Sequence, residues 1–258
     1  MTEIKDAFAH GKAFVAFVTC GDPDLETTMS VIRTLESNGA DLIELGIPFS
    51  DPTAEGPTIQ AANQRALSGG VTTDSIFDMV EDVRKDVSIP MVFMTYANVV
   101  FSYGTERFVK RCREVGIQGL ILPDVPHEER DDFAPTCERE GLCLISMVAP
   151  TSADRISMIA KEAKGFVYVV SSLGVTGTRA EINTDVGSMT SVIRENTDIP
   201  VAIGFGISNP EQAKKMAVHA DGVIVGSAIE RIIEKNGKES PKHVGEFCKS
   251  MKDAISKL

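Results

Sequence analysis

The sequence has few basic residues, and this shortage limits the partners that the protein can bind. Its 258 residues include 26 Lys and Arg against 37 Asp and Glu, a formal net charge of −11. Binding to nucleic acid or to a membrane surface depends on clustered basic side chains, and the chain has no basic run. We therefore expect no nucleic-acid partner and no membrane partner. A small anion is not excluded, because backbone N–H groups at a helix end are enough to bind one.

Long apolar runs and paired cysteines are also absent. No run approaches the roughly 18 residues of a membrane span, and the first residues are polar, unlike a secretory signal. The five cysteines are an odd number and include no Cys-x-x-Cys pair, so we expect free thiols in a reducing compartment. Together these features predict a cytoplasmic protein.

The usual motifs for metal, nucleotide and serine-nucleophile chemistry are missing too. The four histidines are scattered without ligand spacing, so no metal site is expected. There is no P-loop, and no dinucleotide-binding fingerprint follows the first predicted strand. Neither Ser50 nor Ser227 has a nearby His or a nucleophile elbow.

Eight short apolar runs, rich in Val, Ile and Phe, alternate with longer amphipathic segments. Runs that are continuously apolar are typical of strands buried on both faces of a parallel sheet. They cover Ala13–Thr19, Asp41–Gly46, Pro90–Thr95, Gly119–Leu122, Leu142–Val148, Phe166–Val170, Pro200–Ile203 and Gly222–Val225. Eight strand–helix units in about 250 residues predict an α/β fold, a single (β/α)8 TIM barrel with extra helices. A doubly wound open sheet is the alternative.

The helical segments fit one domain that spans residues 1–258. An amphipathic pattern separates each strand from the next, and no linker or composition shift divides the chain. The segment Pro57–Gly69 reads as an extra helix inserted in the second unit, and a last helix is predicted over Pro241–Lys257. The segment of about His127–Glu140 is predicted as one helix.

Two carboxylates near the end of the second strand are candidates for acid/base chemistry. Glu44 interrupts an apolar strand, and a buried carboxylate is costly without a partner or a task. Burial raises a carboxyl pKa, which suits proton donation near neutral pH; a structural Glu is the alternative. Glu55 lies on a loop rich in Gly and Pro, where a solvated side chain is the alternative. Asp51 is as consistent with a turn former as with a catalytic residue.

Glycine-rich turns follow the last three strands and indicate a phosphate site. They are Gly174–Gly177, Gly204–Ser208 and Gly226–Ala228, and the last of them opens a helix directly. Barrels often bind phosphate at the loops after strands seven and eight with a helix N-terminus. Each turn alone is weak evidence, whereas the three together favour an anion site.

The run from Glu44 to Gln60 closely resembles the signature of the tryptophan synthase α subunit. Further motifs resemble it along residues 4–257: Phe17-Val-Thr-Cys-Gly-Asp-Pro, Met94-Thr-Tyr-Ala-Asn, Pro123-Asp-Val-Pro, Gly174-Val-Thr-Gly and Gly204-Phe-Gly-Ile-Ser. The resemblance implies a TIM-barrel lyase of L-tryptophan biosynthesis that cleaves indole-3-glycerol phosphate to indole and glyceraldehyde 3-phosphate. It also implies no metal or organic cofactor, and a β subunit as partner in an αββα hetero-oligomer.

The same resemblance assigns roles to residues of this chain. It makes Glu44 and Glu55 the catalytic pair. It implies that the phosphate substrate is bound by Phe17, Tyr96, Tyr168, Thr176, Gly177, Phe205, Gly206, Gly226 and Ser227. In the family, Glu44 would protonate indole C3 and take the side-chain hydroxyl proton, while Glu55 would accept or stabilise the ring N–H.

This chain departs from the family pattern on the catalytic loop. The usual Leu-Ala-Asp-Gly is here Thr53-Ala54-Glu55-Gly56. The second carboxylate is therefore longer by one methylene, and apolar surface is lost at Thr53. One alternative function is a weakly active regulatory subunit that mainly activates its β partner. Another is a different phosphate-binding barrel enzyme, such as a sugar-phosphate isomerase.

Overall fold

A barrel of parallel strands with helices around it is formed by residues 3–170, 186–204 and 206–258, which the computed structural model describes. The strands are β1 (Ala13–Thr19), β2 (Leu42–Gly46), β3 (Met91–Met94), β4 (Gly119–Ile121), β5 (Cys143–Leu144), β6 (Ser146–Val148), β7 (Val167–Val170), β8 (Val201–Gly204) and β9 (Gly222–Val225). The α-helices are α1 (Leu25–Ser37), α2 (Pro57–Ser68), α3 (Thr73–Val83), α4 (Ala97–Tyr103), α5 (Thr105–Glu114), α6 (Ala134–Glu140), α7 (Ala153–Lys161), α8 (Val186–Arg194), α9 (Pro210–Ala217), α10 (Ser227–Asn236) and α11 (Ser240–Ile255). Short 3-10 helices cover Ile4–Phe8, His127–Asp132 and Gly237–Glu239.

The strand order confirms the predicted barrel and rules out the open doubly wound sheet. The order is β5-β4-β3-β2-β1-β9-β8-β7-β6, with every pair parallel. β5 and β6 are the two halves of one predicted strand, interrupted at Ile145. Because β5 pairs with β4 and β6 pairs with β7, this broken strand links the two ends of the ring.

The continuous apolar character of the strands reflects burial on both of their faces. Every residue of β1 and of β2 is buried. Inside the barrel, Val15, Leu42, Val92 and Ile121 pack together, while alternate residues such as Phe14 pack outward against the helices. Such strands cannot alternate apolar with polar residues, since neither face meets water.

An apolar N-terminal segment, which the sequence reading did not assign, covers the amino end of the barrel. Ile4 and Ala7 belong to the interior cluster, and the Phe8 ring lies 5.8 Å from the Phe166 ring, centroid to centroid. Ile4 Cδ1 is 3.2 Å from where a Cβ of Gly119 would lie, at the start of β4. This end is therefore filled, and the carboxyl ends of the strands are left for a site, as in other barrels.

The helices agree with prediction except in two places. The extra helix in the second unit is α2, and the last helix is α11. The segment predicted as one helix over His127–Glu140 is divided at Phe133 into a 3-10 turn and α6. Helix α4 was missed because its Val-Val-Phe run has little helix propensity; the Asp124 carboxylate accepts the Ala97 N–H at 3.1 Å and fixes its start. Within the described part of the chain, no helix is both long and apolar enough to cross a bilayer.

Candidate active site

Glu44 lies on β2 and faces the barrel interior. It follows the interior residue Leu42 by two positions, and side chains two apart on a strand share a face. Its side chain is 1% exposed, and Oε2 has no hydrogen-bond partner among the described residues. Burial, and next the charge of Glu55, raise the pKa of Glu44 to about 8. Glu44 is thus a protonated acid at neutral pH, with an oxygen free to face a ligand.

Glu55 is held at the end of the loop between β2 and α2 (residues 47–56) by contacts on both its backbone and its side chain. Gln60 Nε2 donates to its carbonyl at 2.7 Å, and Asn63 Nδ2 donates to its carboxylate Oε2 at 3.5 Å. Burial raises the pKa of Glu55 to about 7; hydrogen bonds from Tyr96 and Asn63 oppose the rise, and the Asp124 charge adds to it. Near neutral pH, Glu55 is therefore partly ionised and can accept a proton or a hydrogen bond.

Tyr96 contacts this loop between β2 and α2. Its hydroxyl accepts the Ala54 N–H at 3.0 Å and is also hydrogen-bonded to the Glu55 carboxylate. Its ring stacks on Phe49 with centroids 5.1 Å apart. The side chain of Tyr96 thereby contacts the loop at Phe49, at Ala54 and at the Glu55 carboxylate. Asp51 is exposed and accepts a hydrogen bond from the hydroxyl of its neighbour Ser50.

Both carboxylates line one small cavity at the carboxyl end of the barrel. This cavity has a volume of about 40 Å³, and its lining comprises Phe17, Glu44, Glu55, Ile59, Met94, Tyr168, Gly206, Ile207, Ile224, Gly226 and Ser227. A second cavity of about 700 Å³ adjoins the ends of β4–β6 and shares Glu55 and Met94 with the first. The shared wall joins the buried acid at Glu44 to a space large enough for a small ligand.

Gly206 and Ile207, which follow β8, and Gly226 and Ser227, which follow β9, form another part of the cavity wall. Gly226 precedes α10 and has no side chain that could cap the helix. The N–H groups of Ser227 and Ala228, ahead of the first intrahelical bond from the Ile229 N–H to the Gly226 carbonyl, therefore have no partner within the helix. Gly206 has φ +83°, a conformation that favours glycine. With Ser227, these backbone groups suit an anion. Thr176, Gly177 and Phe205, which the sequence reading placed in the same site, lie outside the described residues.

Phe17 and Tyr168 form the aromatic part of the cavity, where glycines leave room for their rings. A Cβ on Gly46 would lie 2.6 Å from the Phe17 ring, and one on Gly204 would lie 2.6 Å from the Tyr168 hydroxyl. Burial, and next the Glu44 charge, raise the pKa of Tyr168 well above its ordinary value. Tyr168 therefore stays neutral beside the acid.

Replacement of Gly204 by Ala is expected to lower the free energy of unfolding by about 1–3 kcal/mol, since the new methyl group must displace the Tyr168 ring. Urea denaturation measures the change. The matched background is Tyr168→Ala, in which the cost of Gly204→Ala should largely disappear. An equal cost in both backgrounds would show that the ring is not the obstacle.

Several residues at the site were not found by sequence reasoning. Asn63 and Met94 contact or line the site, and Asp124 acts on Glu55 through its charge. Asn63 is 5% exposed on the buried face of α2, one turn after Ile59. A polar residue in an apolar helical stripe was the available signal. In the part of the chain that the structure describes, no group of three His, Cys, Asp or Glu could hold a metal ion.

Known proteins resemble this chain over nearly its whole length. The sequence model of the family "Tryptophan synthase alpha chain" matches residues 5–256. A tryptophan synthase alpha chain of Lacticaseibacillus casei is 46% identical over 255 residues, 99% of this chain and 96% of the relative. The solved tryptophan synthase subunit alpha of Legionella pneumophila str. Paris has a TM-score of 0.90 at 35% identity and full coverage of both chains. A chain of the tryptophan synthase complex of Pyrococcus furiosus has a TM-score of 0.87 at 32% identity, over 94% of this chain and 98% of that one.

Proposed function

The chain belongs to the tryptophan synthase α chain family, and from this premise we propose that Glu44 and Glu55 are the two catalytic residues of its reaction. The chain is a carbon–carbon lyase of tryptophan biosynthesis, which cleaves indole-3-glycerol phosphate to indole and glyceraldehyde 3-phosphate. The observation that carries the proposal is that two buried carboxyls of raised pKa line one cavity, whose lining also includes a helix N-terminus.

Glu44 performs both proton transfers at the scissile bond. Its proton goes to ring carbon C3, which makes the ring an electron sink. The hydroxyl on the carbon attached to C3 then gives its proton to the Glu44 carboxylate, the bond between the two carbons breaks, and that hydroxyl becomes the aldehyde of glyceraldehyde 3-phosphate. The bonding electrons return to the ring and yield indole. One residue suffices because the proton that it gives is replaced by the one that it takes.

Glu55 stabilises the indole nitrogen while the ring carries positive charge. When C3 is protonated, the ring N–H becomes acidic, and a carboxylate at this position can accept the proton or its hydrogen bond. The hydrogen bonds from Tyr96 and Asn63 favour the ionised form that this role requires. The two carboxyls therefore need opposite protonation states at the start of the reaction.

The remaining cavity residues bind and orient the substrate. We assign the phosphate group to the backbone of Gly206 and Gly226 and to Ser227, at the start of α10. Phe17 and Tyr168 bound the space beside Glu44, and Met94 lies where the two cavities meet, so the indole ring is placed against these side chains. Tyr96 contributes by holding the catalytic loop.

A β partner is implied for a tryptophan synthase α chain, and a chain of similar fold belongs to a tryptophan synthase complex. We propose the αββα assembly for this protein, with indole passed to the β subunit. The regulatory alternative, in which the chain mainly activates its partner, predicts little lyase activity for this chain.

Indole release from indole-3-glycerol phosphate, measured with and without the β subunit, tests the proposal. We expect turnover in both conditions, because the carboxyl pair lies within this chain. Ser227→Ala should raise KM for the substrate, since it removes one donor from the phosphate site. Negligible turnover in both conditions, with the β reaction still accelerated, would establish the regulatory alternative. Unchanged KM in Ser227→Ala would contradict the phosphate placement.

A further inference from the structure

A group of charged residues, two of them buried carboxyls, lies beside the proposed site and has no part in the reaction described above. It consists of Asp22, Arg65 and Glu230, and we call it the carboxyl cluster. Glu230 is 0% exposed and Asp22 is 1% exposed. Arg65 Nε and Nη2 donate to the two oxygens of Asp22 at 2.8 and 2.7 Å. Two buried carboxyls with one arginine leave one negative charge to be neutralised.

The geometry of Glu230 indicates where a proton must lie. Its Oε1 accepts the Thr19 N–H at 2.6 Å, whereas Oε2 is buried without a protein donor. The Asp22 carboxyl lies within hydrogen-bond reach of Glu230. Two carboxyl oxygens attract each other only if one carries a proton, and Arg65 already donates to both oxygens of Asp22. Burial, and next the Asp22 charge, raise the pKa of Glu230 well above its ordinary value.

The groups that face Glu230 come from three elements. Asp22 follows β1, Arg65 lies on α2, and the buried Cys20 thiol also lies close enough to interact with Glu230. Glu234, one turn later on α10, contacts only the outer side of Arg65, at 3.1 Å, and is half exposed. Arg65 thus supplies the positive charge of this cluster, and its shortest hydrogen bonds go to Asp22.

The carboxyl cluster connects α10, which begins at the proposed phosphate site, with α2, which follows the loop that carries Glu55. Glu230 lies in the first turn of α10, and its N–H donates to the Gly226 carbonyl at 3.1 Å. Arg65 lies on α2, the helix that begins directly after the catalytic loop and carries Asn63. Thr19 ends β1, two residues beyond Phe17. A displacement of Glu230 would therefore move the start of α10 relative to Glu44 and Glu55.

We propose that Glu230 is a positioning residue: as a protonated acid that donates to Asp22 and accepts from Thr19 N–H, it holds the start of α10 where its backbone binds the phosphate group. This inference rests on the proposed phosphate site. Glu230 acts through the backbone of Gly226 and Ser227 and does not touch the substrate.

The reverse reaction separates the phosphate-bearing substrate from indole and so gives a specific test. Glu230→Leu removes both hydrogen bonds and is expected to raise KM for glyceraldehyde 3-phosphate about five- to tenfold, with KM for indole unchanged. Glu230→Gln is expected to retain the wild-type KM, because its amide can donate to Asp22 and its carbonyl can accept from Thr19. Glu234→Gln is the matched control on the same helix and should change neither KM.

The pH profile of KM for glyceraldehyde 3-phosphate tests whether Glu230 carries a proton, and this test needs no destabilised variant. As the pH is raised above neutrality, wild-type KM should rise when Glu230 loses its proton and repels Asp22. Glu230→Gln should remove this rise, because its amide does not titrate. A merely structural role for the side chain would leave the two profiles parallel, and parallel profiles would overturn the proposal.

Ser227→Ala distinguishes failure of this inference from failure of the phosphate assignment. If Ser227→Ala raises KM for glyceraldehyde 3-phosphate while Glu230→Leu does not, Glu230 has no positioning role and the phosphate site stands. If neither variant changes that KM, both the inference and the phosphate placement are wrong. An equal rise in both KM values for Glu230→Leu would also overturn the inference, because it would show a general loss of structure.

Discussion

Replacement of Glu44 by Gln is expected to lower kcat for indole release by about 10²- to 10⁴-fold, the usual contribution of a positioned acid. The amide keeps the shape of the side chain but can neither deliver a proton to C3 nor take one from the hydroxyl. Steady-state indole release measures the loss. Binding of the substrate should change little, since Glu44 is neutral in the resting enzyme at pH 7.

As a control measurement, the affinities of Glu44→Gln for the substrate and for glyceraldehyde 3-phosphate should stay near the wild-type values. Glu234→Gln, an amide substitution at a half-exposed position one turn after Glu230 on α10, should leave kcat unchanged. Full turnover in Glu44→Gln would remove Glu44 from the mechanism and leave it as a structural residue, the alternative that the sequence left open.

Glu44→Gln should also make the folded protein more stable than the wild type at pH 8. The folded protein holds the Glu44 proton up to a pKa of about 8, whereas the unfolded chain releases it near the ordinary 4.5. Between these values the folded state binds more protons, so wild-type stability falls as pH rises, by about 1.4 kcal/mol per pH unit for this group at most. Glu44→Gln removes that slope. Urea unfolding at pH 5 and at pH 8 would show it, and an unchanged slope would contradict the burial argument.

The barrel could be predicted from sequence because its strands obey a simple rule. Each strand is buried on both faces, so each appears as a continuous apolar run. The departures are local: the interruption at Ile145 does not alter the apolar pattern of its strand, and α4 begins where the distant Asp124 accepts a hydrogen bond from its first residue. No local pattern carries a contact between residues 27 positions apart.

The site was predictable where its chemistry conflicts with its surroundings. Glu44 is conspicuous as a charge in an apolar strand. Glu230 was not detected, because an acid followed by Arg and Lys on a helix reads as an ordinary exposed residue. Its burial is visible only once α10 packs against β1 and α2. Substrate binding by Tyr96 stays a prediction; its contacts with Ala54 and Glu55, which the sequence does not indicate, add a role in holding the loop.

Glu55→Gln is expected to lower kcat by about 10²-fold or more, because the amide cannot accept the proton of the ring N–H. It should also change the pH dependence. Wild-type activity requires ionised Glu55, above about pH 7, and protonated Glu44, below about pH 8, so its profile should be a narrow bell between these values. In Glu55→Gln the fall of kcat on the acid side should disappear while the alkaline side remains. A retained acid limb would assign that limb to another group.

Glu55→Asp decides whether the longer carboxylate is a defect or a fitted part of this loop. Asp retracts the carboxyl group by one methylene, and a displacement of about 1 Å can cost about 10²-fold in rate. The Glu55 backbone is fixed by Gln60, and its carboxylate contacts Asn63 and Tyr96. The loop therefore cannot simply move inward with the shorter side chain. We expect kcat to fall by about 10²-fold, although Asp is the usual residue in the family pattern.

Thr53→Leu is the matched variant on the same loop. Thr53 is exposed, so this change alone should leave kcat near the wild-type value, and Thr53→Leu combined with Glu55→Asp should remain as slow as Glu55→Asp. If Glu55→Asp instead raised kcat, the glutamate would be a handicap and the regulatory reading of this chain would gain support. If only the double variant recovered, the two departures would act together through the loop, and the position of the second carboxylate would depend on Thr53 as much as on Asn63 and Tyr96.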